Sequence, residues 1–301
     1  MEIVNQQIQL PTLVKNHVSL FIKREDQIHA IISGNKFRKL HYNLIALKEL
    51  GLTTILTFGG AFSNHIAATA KIGKEHGIKT IGIIRGDELA HQWETNPTLK
   101  LAASSGMELL FIDRETYRNK NSNHFIEFLK GKFGRFYLLP EGGTNALAVK
   151  GCEAILTPND AEFDLICCAV GTGGTLAGLI NAAHPHQKIL GFTALKGDFL
   201  MKDIRKFVQH ENWQLVEDYH FGGYAKINNK LVQFINAFKK ETDILLDPIY
   251  TGKMLFGLFD MIEKGIFKKP TKILAIHTGG LQGIVGMNLL LQKKKLPVID
   301  L

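Results

Sequence analysis

The sequence predicts an α/β protein of two open, twisted, mostly parallel sheets with helices on both faces. Three observations carry this expectation. Short apolar runs alternate with longer amphipathic ones along nearly the whole chain, the pattern of strands joined by crossover helices. The 301 residues, 45% apolar and 21% charged, have ordinary globular composition and suffice for two domains. Glycine-rich turns follow several of the apolar runs, where open α/β sheets place their ligands.

The elements follow in order. VSLFIKRE reads as a strand and NKFRKLHYNLIALKELG as a helix closing at Gly51. TTILTFGG, KTIGIIRG, MELLFID and RFYLLP read as strands separated by the helices AFSNHIAATAKIGKEHG, NPTLKLAASSG and HFIEFLKGKFG. The second half resumes with helix NALAVKGCEAILT, strand DLICCAV, helix GTLAGLINAAH and strand KILGFTA. Helices FLMKDIRKFVQHE, INNKLVQFINAFKKET and TGKMLFGLFDMIEKG precede a last strand, KILAIHTGG. The turn Pro140-Glu141-Gly142-Gly143 and the loop TPNDAEFD are boundary signals.

Composition excludes several classes. No apolar run is long enough to span a bilayer, and MEIVNQQIQLPTLVKN lacks the basic and apolar regions of a secretory signal. A cytoplasmic location is expected. Cys152, Cys167 and Cys168 are an odd set without paired metal-ligand spacing, so they are expected as buried thiols, and no metal site is expected. The net charge of +8 resides partly in solvated segments such as FKKPTK and QKKKLP. Basic residues do not interleave with aromatics on one face, so no nucleic-acid partner is expected.

Four strand ends carry chemistry. AVGTGGTLAGL places Gly171, Thr172, Gly173, Gly174 and Thr175 between a buried strand and a helix. Glycines let backbone N–H groups approach an anion, and a helix N-terminus adds positive potential. The third glycine of a dinucleotide fingerprint is replaced by Leu176, and no Walker A loop exists. A single terminal phosphate is the better ligand. TFGGAFSNHIAATA aims Ser63, Asn64 and His65 at the same end of the fold, more polar groups than one helix cap needs. HTGG and DPIYTGK end the list. A further puzzle is ISGNKFRKLHYN, which puts Lys36, Arg38 and Lys39 at a helix N-terminus, where each cation is unfavourable by about 0.3–1 kcal/mol.

In order and spacing, SGNKFRKL, GGAFSNH, PEGG, GTGGT, DPIYTGK and HTGG resemble the 1-aminocyclopropane-1-carboxylate (ACC) deaminase/D-cysteine desulfhydrase family. This is a branch of the pyridoxal-phosphate (PLP) enzymes with the tryptophan synthase β-subunit-like fold. The likeness runs roughly from Leu20 to Gly283. It implies a larger PLP-binding domain, 1–49 and 151–301, a smaller inserted α/β domain, 50–150, an active site in the cleft between them, and a homodimer. It implies that Lys36 is the Schiff-base lysine and that Lys39 and Gly171 to Thr175 meet the cofactor phosphate. Asn64 matches the contact to the ring hydroxyl, Ser63 and His65 lie where the substrate carboxylate is held, and Tyr224 and Tyr250 line the substrate site. A Schiff-base lysine needs a neutral amine, and positive neighbours favour that form. Lys39, three residues on, shares the helix face of Lys36. Arg38 falls off that face and is expected to make a structural contact.

The ACC deaminases of this family carry glutamate after the catalytic tyrosine and leucine in the late strand-end motif. Thr251 and Thr278 take those positions here. A neutral hydroxyl cannot enforce a protonated pyridine ring, which suits β-elimination on a small D-amino acid. D-cysteine is therefore the favoured substrate, giving pyruvate, hydrogen sulfide and ammonia; ACC deamination is the alternative. A non-catalytic PLP-binding protein is a more distant one, and a nucleotide-dependent oxidoreductase is weakened by the missing glycine.

Overall fold

The computed structural model describes residues 3–29, 32, 34–197 and 199–301. Ser33 of the SGNK turn lies outside them. Among the described residues ten strands form two sheets. The larger runs β1 (Asn5–Ile8), β2 (Val18–Lys23), β10 (Thr271–Ile276), β7 (Leu165–Val170), β8 (Lys188–Thr193) and β9 (Trp213–Val216) across its width. The smaller runs β5 (Met107–Ile112), β4 (Lys79–Arg85), β3 (Thr54–Gly59) and β6 (Tyr137–Leu139). β1 pairs antiparallel with β2, and every other pairing is parallel. The expected fold class is the observed one.

The larger sheet is buried on both faces, which explains its continuous apolar strands. Side chains alternate across a strand, so the adjacent cysteines part company. Cys167 joins the core beneath the helices Asn229–Thr242 and Thr251–Glu263, and Cys168 joins the core of the opposite face, with Leu176 and Ile180 of the helix Gly174–Ala182. All three cysteines are buried and free, as expected.

The elements absent from the sequence reading are mostly short or at the edges: the helices Pro11–Lys15 and Arg114–Arg118 span five residues each. β1 (NQQI) and β9 (WQLV) are four-residue strands at the two edges of the larger sheet, and the helix Gly283–Lys293 leads into the lysine-rich tail. The helix expected over 199–211 ends at Arg205, because the chain must leave it to enter β9. The helix Asn35–Glu49 packs Leu40, Leu44 and Leu47 with Ile55, Ala68 and Ile72 of the smaller unit, whereas the sequence reading places it with the larger one.

Two ion pairs, one buried and one partly exposed at its arginine, tie the segments that lead into the cleft. Lys23 Nζ lies 2.7 Å from Asp160 Oδ2, with both side chains 2% exposed. Arg38 grips Glu25 through both carboxylate oxygens, at 2.8 and 3.0 Å. This is the structural contact expected of Arg38, and it holds the helix Asn35–Glu49 against the end of β2. Removing one member of a buried pair strands the other charge, so Asp160→Ala is expected to lower stability by about 3–5 kcal/mol. A loss below about 1 kcal/mol in denaturant titration, the usual worth of an exposed pair, would show that the pair contributes little.

Candidate active site

Strands of both sheets end at one cavity of about 550 Å³. The ends of β3, β4 and β6 contribute Ser63, Arg85 and Glu141; those of β7 and β10 contribute Thr172 and Thr278. Lys36, Lys39, Asn64, His65, Tyr224 and Tyr250 also line it. Residues far apart in sequence are thus gathered at the carboxyl edges of parallel strands, where an open α/β fold places its ligand.

Two helix N-termini meet on one wall. The helices Asn35–Glu49 and Gly174–Ala182 start at Gly34 and Gly173, and neither has a side-chain cap, so first-turn N–H groups are left over. Asn35 Nδ2 donates to Thr175 Oγ1 at 2.8 Å and fixes the two starts side by side. Gly34 and Gly173 have φ of 64° and 83°, and a Cβ at Gly34 would fall on the carbonyl of Thr278. Lys39 Nζ donates to the Gly142 carbonyl and to Thr144 Oγ1, both at 3.0 Å. Thr144 Oγ1 in turn lies 2.6 Å from Thr172 Oγ1. A Cβ at Gly174 would approach Thr144 Oγ1 to 2.8 Å and Lys39 Nζ to 3.2 Å. One ammonium, several hydroxyls and two uncapped helix starts make this wall a site for a small polyanion.

Lys36 lines the same cavity and donates to Asn35 Oδ1 at 3.1 Å. Burial, then the charge of Lys39, lowers its pKa from 10.5 to about 7. Burial lowers that of Lys39 as well. Lys36 is therefore available as a neutral amine near physiological pH, which a nucleophile or a base requires.

The GGAFSNH turn supplies the facing groups. Ser63 caps the helix Asn64–His76 by accepting from the Ile66 N–H at 3.2 Å, and this leaves its hydroxyl proton for another acceptor. Asn64 Oδ1 accepts from Gln282 Nε2 at 2.9 Å. Its amide Nδ2 would lie 2.5 Å from a Cβ at Gly280, so only glycine fits there. His65 departs from its expected role. Thr57 gives its one hydroxyl proton to the Leu139 carbonyl at 2.8 Å, so at 2.7 Å it must accept from His65 Nε2. Nδ1 is left bare, buried and without a partner. Burial first, then Lys36 and Lys39, keeps the imidazole pKa well below its usual value. A bare ring nitrogen accepts and cannot donate to a carboxylate, so the expectation for His65 is corrected.

Tyr224 and Tyr250 face each other with ring centroids 6.5 Å apart. Burial pushes the Tyr224 phenol up to about 12 and raises that of Tyr250 well above its ordinary value. Both are hydrogen-bond donors at neutral pH rather than bases. A Cβ at Gly171 would stand 3.1 Å from the Tyr250 ring, so the glycine loop is also a seat for this tyrosine. The two threonines separate. Thr278 lines the cavity, whereas Thr251 is fully buried and turns its hydroxyl to Asp247 Oδ1 at 2.8 Å. Asp247 also accepts from the N–H groups of Ile249, Tyr250 and Thr251. Thr251 thus builds the turn that carries Tyr250 instead of meeting the cavity, a correction to its expected place.

Sequence reasoning passed over Asn35, Thr57, Thr144 and Arg85, and it read Asp247 only as part of a turn. Asn35 and Thr144 were visible as polar neighbours of the SGNK and PEGG motifs. Arg85 ends a strand, and only the fold brings it to the cavity. Thr57 lies inside an apolar strand and gives no local signal.

A profile of the pyridoxal-phosphate dependent enzyme family matches residues 4–279. A Thermotoga maritima protein named "Putative 1-aminocyclopropane-1-carboxylate deaminase" is 32% identical over 288 residues, covering 88% of this chain and 90% of that protein. The "Bifunctional D-cysteine desulfhydrase/1-aminocyclopropane-1-carboxylate deaminase, mitochondrial" of Arabidopsis thaliana is 29% identical over 296 residues, covering 89% and 74%. A solved structure titled as an ACC deaminase homologue superposes with a TM-score of 0.81 at 29% identity, covering 94% of this chain and 90% of its own. The residues present fit the cofactor: a lysine amine near neutrality, a cationic and hydroxyl-lined wall for a phosphate, and a buried unpartnered acceptor in the same cavity. The chain is therefore a pyridoxal-phosphate-dependent enzyme of the ACC deaminase/D-cysteine desulfhydrase family.

Proposed function

We propose that the enzyme catalyses β-elimination on a small D-amino acid, converting D-cysteine to pyruvate, hydrogen sulfide and ammonia. The observation that carries this reading is the acid content of the cavity. Among the described lining residues Glu141 is the one carboxylate, and it is paired with Lys120 at 3.1 Å. The strand-end groups lining the cavity are the hydroxyls of Ser63, Thr172 and Thr278, the Arg85 guanidinium and the paired Glu141, and the Thr278 hydroxyl is taken as the one offered to a bound ring. A neutral partner leaves a pyridine nitrogen unprotonated, which weakens the support for a long-lived carbanion and suits departure of a good leaving group.

Bound PLP supplies the electron sink for the Cα–H bond electrons. Lys36 would hold the cofactor and, as a neutral amine, would take the α-proton as base. Lys39, Thr172, Thr175 and the uncapped helix starts would hold its phosphate. The Ser63 hydroxyl and Asn64 Nδ2 hold the substrate carboxylate near the N-terminus of the helix Asn64–His76, whose dipole favours an anion. Neutral His65 is itself fixed by Thr57, which anchors it to the Leu139 carbonyl. The sulfur leaves with the Cβ–S electron pair, and a protonated phenol, Tyr224 or Tyr250, gives it a proton. The released enamine takes up water to yield pyruvate and ammonia. The second reading, ring opening of ACC to 2-oxobutanoate and ammonia, is favoured by the names of the relatives. A homodimer, which the same resemblance implies, is part of this proposal, and light scattering on the purified protein would test it.

Purified enzyme offered both substrates should release sulfide and pyruvate from D-cysteine and little 2-oxobutanoate from ACC; the reverse ratio would overturn the favoured reading. Lys36→Ala should purify colourless and incorporate no label on borohydride reduction with PLP. Uptake of PLP by cofactor-stripped protein should follow the neutral amine, rising through about pH 7 and levelling above it. A rise delayed toward the 10.4 or so of an ordinary lysine would refute the assignment of Lys36. Tyr250→Phe or Tyr224→Phe, whichever removes the proton donor, should cost about 10²–10⁴ in kcat while cofactor colour is retained.

A further inference from the structure

Lys253 is 2% exposed and lies in the first turn of the helix Thr251–Glu263. Its ammonium donates to the carbonyls of His220 and Gly223, both at 2.8 Å. These are the carbonyls that close two successive turns, accepting from the Gly223 N–H at 3.0 Å and the Lys226 N–H at 3.2 Å. Tyr224 lies in the second of these turns, next to the Gly223 carbonyl. The flanking backbone is strained: Phe221, Gly222, Gly223 and Ala225 have φ of 55°, 94°, 114° and 56°. Left-handed conformations at residues with a Cβ persist only where surrounding contacts impose them.

Those contacts come from one helix face. Residues 253, 256, 257 and 260 recur at helical spacing, and all four engage the loop. The Phe256 ring meets Phe221 edge-on at 5.0 Å, a Cβ at Gly257 would strike the Tyr219 ring at 2.6 Å, and Asp260 Oδ2 accepts from the Tyr219 hydroxyl at 2.6 Å. Tyr250 stands at the start of the same helix. One rigid element therefore carries one tyrosine and clamps the loop bearing the other.

We infer that Lys253 is a positioning residue: its ammonium locks the 217–226 loop in the conformation that sets Tyr224 opposite Tyr250. A buried ammonium costs free energy that an apolar side chain would not, so its retention there reflects the two carbonyls it joins. Burial lowers its pKa to about 8, so it remains mostly charged at neutral pH and keeps its donors. The significance of this clamp for turnover rests on the proposed function, because it acts through Tyr224; the clamp itself does not.

Hydrogen–deuterium exchange on holoenzyme separates the two. In Lys253→Met, amides of 217–226 should exchange about tenfold faster or more, the scale of a lost charged hydrogen bond, while β7 and β10 keep their protection. Lys253→Arg should restore much of it, and it serves alone if the methionine variant does not fold. Loop protection equal to wild type in Lys253→Met, or in Lys253→Gln where that variant is the one obtained, would overturn the inference. So would loss spread evenly over the chain. If Tyr224→Phe lowers kcat, Lys253→Met should lower it too, and the double variant should lose no more than the worse single one; additive losses would overturn the route through Tyr224. Full activity in Tyr224→Phe would refute the role of that tyrosine, and the exchange result would still decide the clamp.

Discussion

Two helices begin side by side without caps, and two lysines sit in the first turns of one of them. This arrangement is unfavourable in isolation. Helix dipoles oppose cations at their N-termini, and burial of an ammonium without a paired carboxylate is costly. Arg38 is compensated by Glu25, but Lys36 and Lys39 find only neutral oxygens. The positive potential that remains suits an anionic cofactor, while burial, helped by the charge of Lys39, holds Lys36 near neutrality.

The rest of the site is arranged to keep other groups uncharged. His65 is locked as its Nε2–H form by a chain running through Thr57 to a backbone carbonyl, so it cannot add a third cation. Tyr224 and Tyr250 are held as phenols by burial. Asp247, the buried carboxylate nearest in kind to a ring partner, is occupied by the backbone of the turn that carries Tyr250. Titration within the cavity is therefore concentrated in the lysine that must lose a proton to react.

Rigid elements join these parts. The helix Thr251–Glu263 starts at Tyr250, takes its turn from Asp247 and docks the Tyr224 loop through Lys253. The Asn35–Thr175 bond couples the helix that bears Lys36 to the glycine loop. Lys36, Ser63 and Tyr250 thus stand at the starts of helices packed in the core, and Tyr224 on a loop docked against one of them, which limits their excursions relative to one another.

The motifs legible in sequence are those whose chemistry is local. A glycine loop after a buried strand, a polar triplet opening a helix and adjacent lysines on one helix face all follow from backbone geometry over a few residues. They mark the glycine loop and the polar turn that the fold brings to one cavity, and they give the parallel α/β class. The edge strands β1 and β9 were missed because one buried face leaves no continuous apolar run. The tautomer of His65, the inward turn of Thr251 and the clamp by Lys253 depend on partners 8, 4 and 30 or more positions away. Sequence alone determined which groups could do PLP chemistry, since residue type and turn geometry are written locally. Tertiary structure decided which of them face the cavity and in what protonation state, because burial and long-range hydrogen bonds exist only once the two sheets have met.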